Sequence, residues 1–241
     1  MEKIKISVTG CSLADCVYTG IDFSAPSFRR YASRTPGDGG LVPGQLVFLD
    51  ALAAFAGESG DTVLNNLTAG HRMAARNVGG PAIVAAINAA QLTWDLPVEI
   101  QFYGALGHDA TADFIESVVK KTPLGITHYQ RFPGDTPSTQ VLSDPKYHDG
   151  KGERTFINVI GAAGKYGMAE LGDEFFASDV LVFSATALVP ELHDTLTALL
   201  KRGRKAGRIN VVTTVFDFRN EARNPKRSEE HTSELQSRLH L

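Results

Sequence analysis

A chain of 241 residues with 43% hydrophobic content is long enough to bury one sizeable core with a small appendage. Its formal net charge of −3 gives no electrostatic basis for a nucleic-acid or membrane-surface partner. No apolar run approaches the ~20 residues of a membrane span, and the opening MEKIKISVTG alternates apolar with charged residues, unlike a signal peptide. The only cysteines, Cys11 and Cys16, form neither a disulfide framework nor a zinc spacing. As reduced thiols they fit a cytoplasmic location.

The first predicted element is a strand, because Ile4, Ile6 and Val8 recur at period two before the glycine turn at Gly10. From Tyr18 to about Gly70 no period holds, and TPGDGGLVPG is crowded with turn formers. A helix follows in NVGGPAIVAAINAAQL, where Gly79 and Gly80 permit an unusual turn and Pro81 suits the first helical position. VEIQFYGALG is a second strand ending in a glycine turn, and ATADFIESVVKK is an amphipathic helix. Three short strands come next, ITHYQRF, STQVLSD and RTFINVI, the last two joined as a hairpin by the turn-rich DPKYHDGKGE. DVLVFSA has the continuous apolar character of a buried parallel strand. The helix PELHDTLTALLKRGRKAG ends in a basic cluster that complements its carbonyl end and leads into a last strand, INVVTTVFD. Strands alternating with helices predict an α/β fold with a parallel sheet covered on both faces, and the hairpin and irregular segment predict a small β appendage.

Ligands of such sheets bind beyond the carboxyl ends of the strands, which directs attention to Gly10–Asp15, to the turn before Pro81, and to Asp217–Arg219. Asp15 can accept two hydrogen bonds from adjacent sugar hydroxyls, or act as a turn or capping aspartate. The Gly79-Gly80-Pro81 turn opens a helix whose free N–H groups can face a ligand. It is not a dinucleotide fingerprint, since the further glycines are missing and no strand is predicted to run directly into it. That argues against a nicotinamide-dependent enzyme. The seven histidines show no zinc pattern, and His193 with Asp194 falls on a predicted solvated helix. No Gly-x-Ser-x-Gly supports a serine hydrolase.

Five stretches in order carry a family resemblance: Gly10-Cys11-Ser12-Leu13-Ala14-Asp15; GGPAIVAAINAAQL; FYGALGHDATADFI through Gly104, Gly107 and Asp109; GERTFINVIGAAG; and VVTTVFDFR through Asp217 and Arg219. Together they resemble the ribokinase-like, or PfkB, carbohydrate kinases. The resemblance implies a three-layer αβα sandwich with a mostly parallel sheet and a small β lid, here incomplete. It implies transfer of the ATP γ-phosphate to a hydroxymethyl group of a sugar or nucleoside. Asp15, Gly79, Gly80 and Asp109 are then the expected substrate-binding residues, with Gly79 and Gly80 as the lid hinge. Lid closure would exclude water, and dimerisation would run through the lid. The expected partner is a small sugar or polyol, and the expected cofactors of the full-length parent are ATP and Mg2+, with none held by this fragment.

Three positions depart from the family pattern. Ile83 stands where the signature has an asparagine that contacts the sugar, Leu92 where it has a glycine, and Gly161-Ala162-Ala163 where it has Gly-Ala-Asn; Asn88 is more than a turn from position 83. The Gly-Ala-Gly-Asp turn that would supply a general base and hold the transferring phosphate is not found after Arg219. LGDEFF echoes it at Gly172-Asp173, but ahead of a strand, so Asp173 is expected to cap a helix. The ending offers a reason: Arg227–Ser237, RSEEHTSELQS, resembles the in-frame translation of a common sequencing-adapter oligonucleotide. Residues 1–226 are therefore expected to be the N-terminal part of a kinase domain, with lid segments at about 17–50 and 126–160, and 227–241 a non-native tail. Such a piece would bind an alcohol without phosphorylating it, and its 209–217 strand would be an uncovered apolar edge. The alternatives are a sugar- or nucleoside-binding module without catalysis, and a nucleoside kinase of the same fold.

Overall fold

Alternation along Ile4–Gly10 builds the strand on which the molecule is organised. Ile6 and Val8 face one apolar cluster, and Ser7 and Thr9 point to the opposite side. The computed structural model of the protein describes residues 3–215; Asp217, Arg219 and the tail at 227–241 lie outside them. In chain order the elements begin with β1 (Ile4–Gly10), β2 (Leu13–Thr19), α1 (Pro26–Arg29), β3 (Leu46–Phe48), α2 (Leu49–Ala56), α3 (Gly60–Thr68) and β4 (Met73–Gly79). They continue with α4 (Pro81–Leu92), β5 (Val98–Leu106), α5 (Ala110–Val119), β6 (Gly125–Arg131), β7 (Ser138–Asp144), α6 (Tyr147–Gly150) and β8 (Glu153–Val159). The last are α7 (Met168–Phe175), β9 (Val180–Ser184), α8 (Pro190–Asp194), α9 (Leu196–Lys205) and β10 (Ile209–Thr213).

Five strands form the main sheet in the order β10-β9-β1-β5-β6, all parallel. One face packs on α4 and α5 through Ala82, Ile83, Ala86, Ala90, Ile115 and Val119. Alanines at that spacing leave a thin helix surface, so α4 sits close over β1 and β5. The other face packs on α7, α8 and α9 through Phe175, Leu192 and Leu199. The expected αβα sandwich is present.

The second sheet has the order β3-β8-β7-β2-β4 and mixed directions. Its outer face is covered by a separate cluster that joins Phe28, Leu52, Val63 and Leu67 of α1–α3 to Leu142 and Ile157. The β7–β8 hairpin is as expected, but the appendage differs from the sequence reading in three ways. The irregular stretch contains α2 and α3, the latter capped by Ser59, whose side chain accepts from the Thr62 N–H. A strand, β4, does run directly into Gly79. Finally, β6 belongs to the main sheet, because Ile126 and Tyr129 pack into the α4–α5 core, so the chain rejoins the second sheet at Ser138 and not at 126.

The chain crosses between the sheets four times, at Gly10–Ser12, Gly79–Gly80, residues 132–137 and residues 160–161. Each crossing has a glycine at positive φ: Gly10, Gly80, Gly134 and Gly161. The crossings touch in pairs. Ala82 N–H donates to Cys11 O at 3.2 Å, and Ala162 N–H donates to Asp135 O at 2.8 Å. At the far side of the main sheet, β10 is an edge with Ile209 63% exposed and Val211 and Val212 also exposed. An uncovered apolar edge is present over Ile209–Thr213 among the described residues.

Candidate functional site

The carboxyl ends of β1 and β9 are laced into a rim. Gly10 passes so close to Ser184 that a Cβ would lie 1.8 Å from its carbonyl oxygen. Cys11 N–H donates to Ser184 O at 3.1 Å, and Thr213 Oγ1 donates to Ser184 Oγ at 2.7 Å. Ala185, fully buried, is held in the left-handed region at φ 51°. Backbone strain at such a rim is a common companion of a binding site. Ser12 Oγ accepts from the buried Tyr129 hydroxyl at 3.0 Å. Burial pushes the Cys11 thiol up to about 12, with the charge of Asp15 adding to the effect, so it remains an inert thiol.

Asp15 lies on β2 just beyond this rim. It is half-buried, and no hydrogen bond reaches its carboxylate among the described residues. Burial raises its pKa above the usual carboxylate range. Gly79 makes room for it: a Cβ there would sit 2.1 Å from Asp15 Oδ2. The strand register extends the site sideways. Asn77 is directly opposite Asp15 on β4, Thr139 is its neighbour on β7, and Asn158 follows on β8. Residues in register share a face, so Asn77, Asp15, Thr139 and Asn158 form one polar row. Asn158 Nδ2 donates to Thr139 Oγ1 at 3.1 Å, and both are buried. A groove of about 330 Å³ opens at the end of the row, lined by Leu49, Asp50, Asn158, Ile160 and Gly161. A second groove of about 260 Å³, beside Lys5, Gln101 and His128, lies toward the amino ends of the strands, away from where parallel sheets bind ligands.

Other expected site residues are placed differently. The opening of α4 is not a row of free donors: Pro81 has no N–H, and that of Ala82 is taken by Cys11 O. Gly80, at φ 94°, comes so near the Cys11 backbone that a Cβ would lie 2.6 Å from its carbonyl oxygen. Ile83 is fully buried in the main core, so position 83 offers no polar contact. Asn88 is also engaged, its Nδ2 donating to Val84 O at 2.9 Å.

Asp109 caps α5 and is held by protein donors on both oxygens. Oδ1 accepts from Ala112 N–H at 2.8 Å and from Thr136 Oγ1 at 2.7 Å, and Oδ2 accepts from Thr136 N–H at 2.7 Å. Partial burial would raise its pKa, but these hydrogen bonds outweigh burial and hold it below the usual range. Its partners are thus the 134–136 crossing, which passes so close to Gly107 that a Cβ there would meet Gly134 O at 2.4 Å. Asp109 thus ties α5 to this crossing as a strut, with protein donors on both of its oxygens.

Asp173 is exposed and paired with Arg202 after a left-handed Gly172 that kinks α7. His193 is not merely solvated: it is half-buried, and its Nδ1 shares a hydrogen bond with Thr186 Oγ1 at 2.8 Å. Among the described residues no three His, Cys, Asp or Glu side chains converge to hold a metal ion.

A parallel sheet between two helical layers, with a second sheet over the rim, defines a ribokinase-like architecture. The profile of the pfkB family carbohydrate kinases matches residues 61–226, more than half of the chain, and the chain belongs to that family. Among curated protein sequences none matches it. Solved structures share the fold. An adenosine kinase from Sinorhizobium meliloti aligns with TM-score 0.63 at 16% identity, covering 95% of this chain and 62% of that one. An adenosine kinase from Anopheles gambiae, solved with P1,P4-di(adenosine-5) tetraphosphate, gives 0.60 at 14%, covering 88% and 56%. A fructokinase from Xylella fastidiosa gives 0.57 at 15%, covering 89% and 53%. The chain thus spans little more than half the length of these relatives.

Proposed function

We propose that this chain forms the alcohol-gripping part of a kinase that moves a phosphoryl group from ATP to a hydroxyl of a sugar or nucleoside. The observation that carries the reading is the half-buried Asp15 carboxylate, unpartnered among the described residues and seated against Gly79 at the rim. A charge removed from water without a partner is costly, and hydroxyls of a ligand are the natural donors to offset that cost. The second sheet would then cover the bound alcohol, with Gly79–Gly80 as one point of bending. ATP, when bound, would supply the phosphoryl group. The chain contains no Gly-Ala-Gly-Asp sequence, so we expect residues 1–241 to bind the alcohol and not to phosphorylate it.

Calorimetry of the whole chain against D-ribose, D-fructose and adenosine, with Asp15→Ala as control, tests the proposal. Binding of at least one of them that Asp15→Ala abolishes is the expected result. No binding to any, or binding untouched by Asp15→Ala, overturns it. Phosphorylation of any of the three by the purified chain would remove the claim that it only binds.

A further inference from the structure

We propose that Asn77 is the second polar arm of the substrate site, pairing with Asp15 to hold a vicinal diol. The inference rests on the preceding reading of Asp15. Asn77 and Asp15 face each other directly across the antiparallel β2–β4 ladder, where opposed Cβ atoms are about 4.5–5.5 Å apart. Their side-chain ends can therefore meet two neighbouring hydroxyls of one small ring. Asn77 is exposed, and no hydrogen bond holds its amide among the described residues.

The orientation of Asn77 is fixed from behind. The preceding Arg76 points to the opposite face, where its guanidinium lies over the Phe114 ring at 5.5 Å and interacts with Cys16. With Arg76 anchored on α5, strand alternation turns Asn77 toward Asp15. The chemistries complement each other. A carboxylate only accepts hydrogen bonds, whereas an amide both donates and accepts. One hydroxyl donates to Asp15, and its neighbour exchanges a hydrogen bond with Asn77, a pattern that a ligand with a single hydroxyl cannot complete. The alternative, a solvated strand residue, predicts no contribution to ligand choice.

The test is calorimetry of the full chain with adenosine, 2′-deoxyadenosine, methyl β-D-ribofuranoside and methyl 2-deoxy-β-D-ribofuranoside, whose locked furanose rings lose the vicinal diol with the 2-hydroxyl. Asn77→Ala and Asn77→Thr are the probes, the second keeping a residue that favours strands, and thermal melts establish that each is folded. We expect both variants to bind the diol-bearing probes about 5- to 10-fold more weakly while binding the deoxy probes as the parent does, so that the preference for the diol collapses. If either folded variant keeps the parent's preference while Asp15→Ala loses binding, the inference about Asn77 fails and the reading of Asp15 stands. If Asp15→Ala also binds as the parent does, or the parent binds no probe, the reading of Asp15 fails and the inference goes with it.

Discussion

The two sheets bury their strands by different means. In the main sheet both faces are covered by helices, and strands such as β5 and β9 send large apolar residues alternately to each side: Phe102 to one core, Tyr103, Leu181 and Phe183 to the other. The second sheet is covered by helices on one face, and its other face carries Asn77, Asp15, Thr139 and Asn158 in register. The polar side chains that the main sheet buries are small ones such as Ser7, Thr9 and Ser184, while the second sheet keeps a charge half-buried with no partner among the described residues. Under the proposed function, stability resides in the first and ligand choice in the second.

The sharpest way to break this contrast is Ile83→Asn, which restores the family's asparagine. At a fully buried core position it should cost about 3–5 kcal/mol in urea unfolding and give no gain in sugar binding. A cost below about 1 kcal/mol would show that the main core tolerates a polar site after all. Next in size is Gly80→Ala. The left-handed φ of 94° and a Cβ 2.6 Å from the Cys11 carbonyl should together cost about 2–3 kcal/mol; an unchanged melting temperature would count against that close approach.

Asp109→Ala removes a cap and the tie to Thr136, for about 2 kcal/mol. Because the folded carboxyl has a lowered pKa, its contribution is complete above the unfolded value of 3.8 and fades as pH falls through the folded value. The deficit of the variant should therefore shrink on acidification, and a deficit that grows would be inconsistent with the strut. The smallest effect is at Asp15. Its folded pKa is raised, so the ionised folded form is penalised above pH 3.8 and unpenalised below it. Asp15→Asn should raise the melting temperature slightly at neutral pH and lose that gain in acid, while abolishing binding. A variant less stable than the parent at neutral pH would mean that Asp15 has a stabilising partner.

How much of this was legible follows from where periodicity is strong. β1, β5, α5 and β9 are legible directly, since each has a clean apolar pattern that packing reinforces. β4 is not legible in the sequence because MAARNVG offers alanine, arginine and asparagine, poor strand formers that are extended here by pairing with β2. With β4 went Asn77, whose place beside Asp15 exists only through that register. α2 and α3 were hidden by the glycines and prolines around them, although Ser59 followed by Thr62 and Val63 is a helix-start signal. The α4 opening is illegible for another reason: the Cys11 carbonyl that takes the Ala82 N–H comes from a segment 71 residues away in sequence (82 − 11), beyond the reach of local reasoning.

The four crossings, touching in two pairs, have a mechanical meaning. A panel fixed at two knuckles swings about the line between them and resists sliding or skewing. One knuckle joins Cys11 to Ala82, the other Asp135 to Ala162. Asp15 sits four residues from Cys11 and Asn77 five from Ala82, and Thr139 and Asn158 each sit four from Asp135 and Ala162. Under the proposed closure of the second sheet the polar row would run alongside the pivot line, where a swing displaces atoms least, so the outer parts of the panel would travel far while the grip on a ligand hardly shifted.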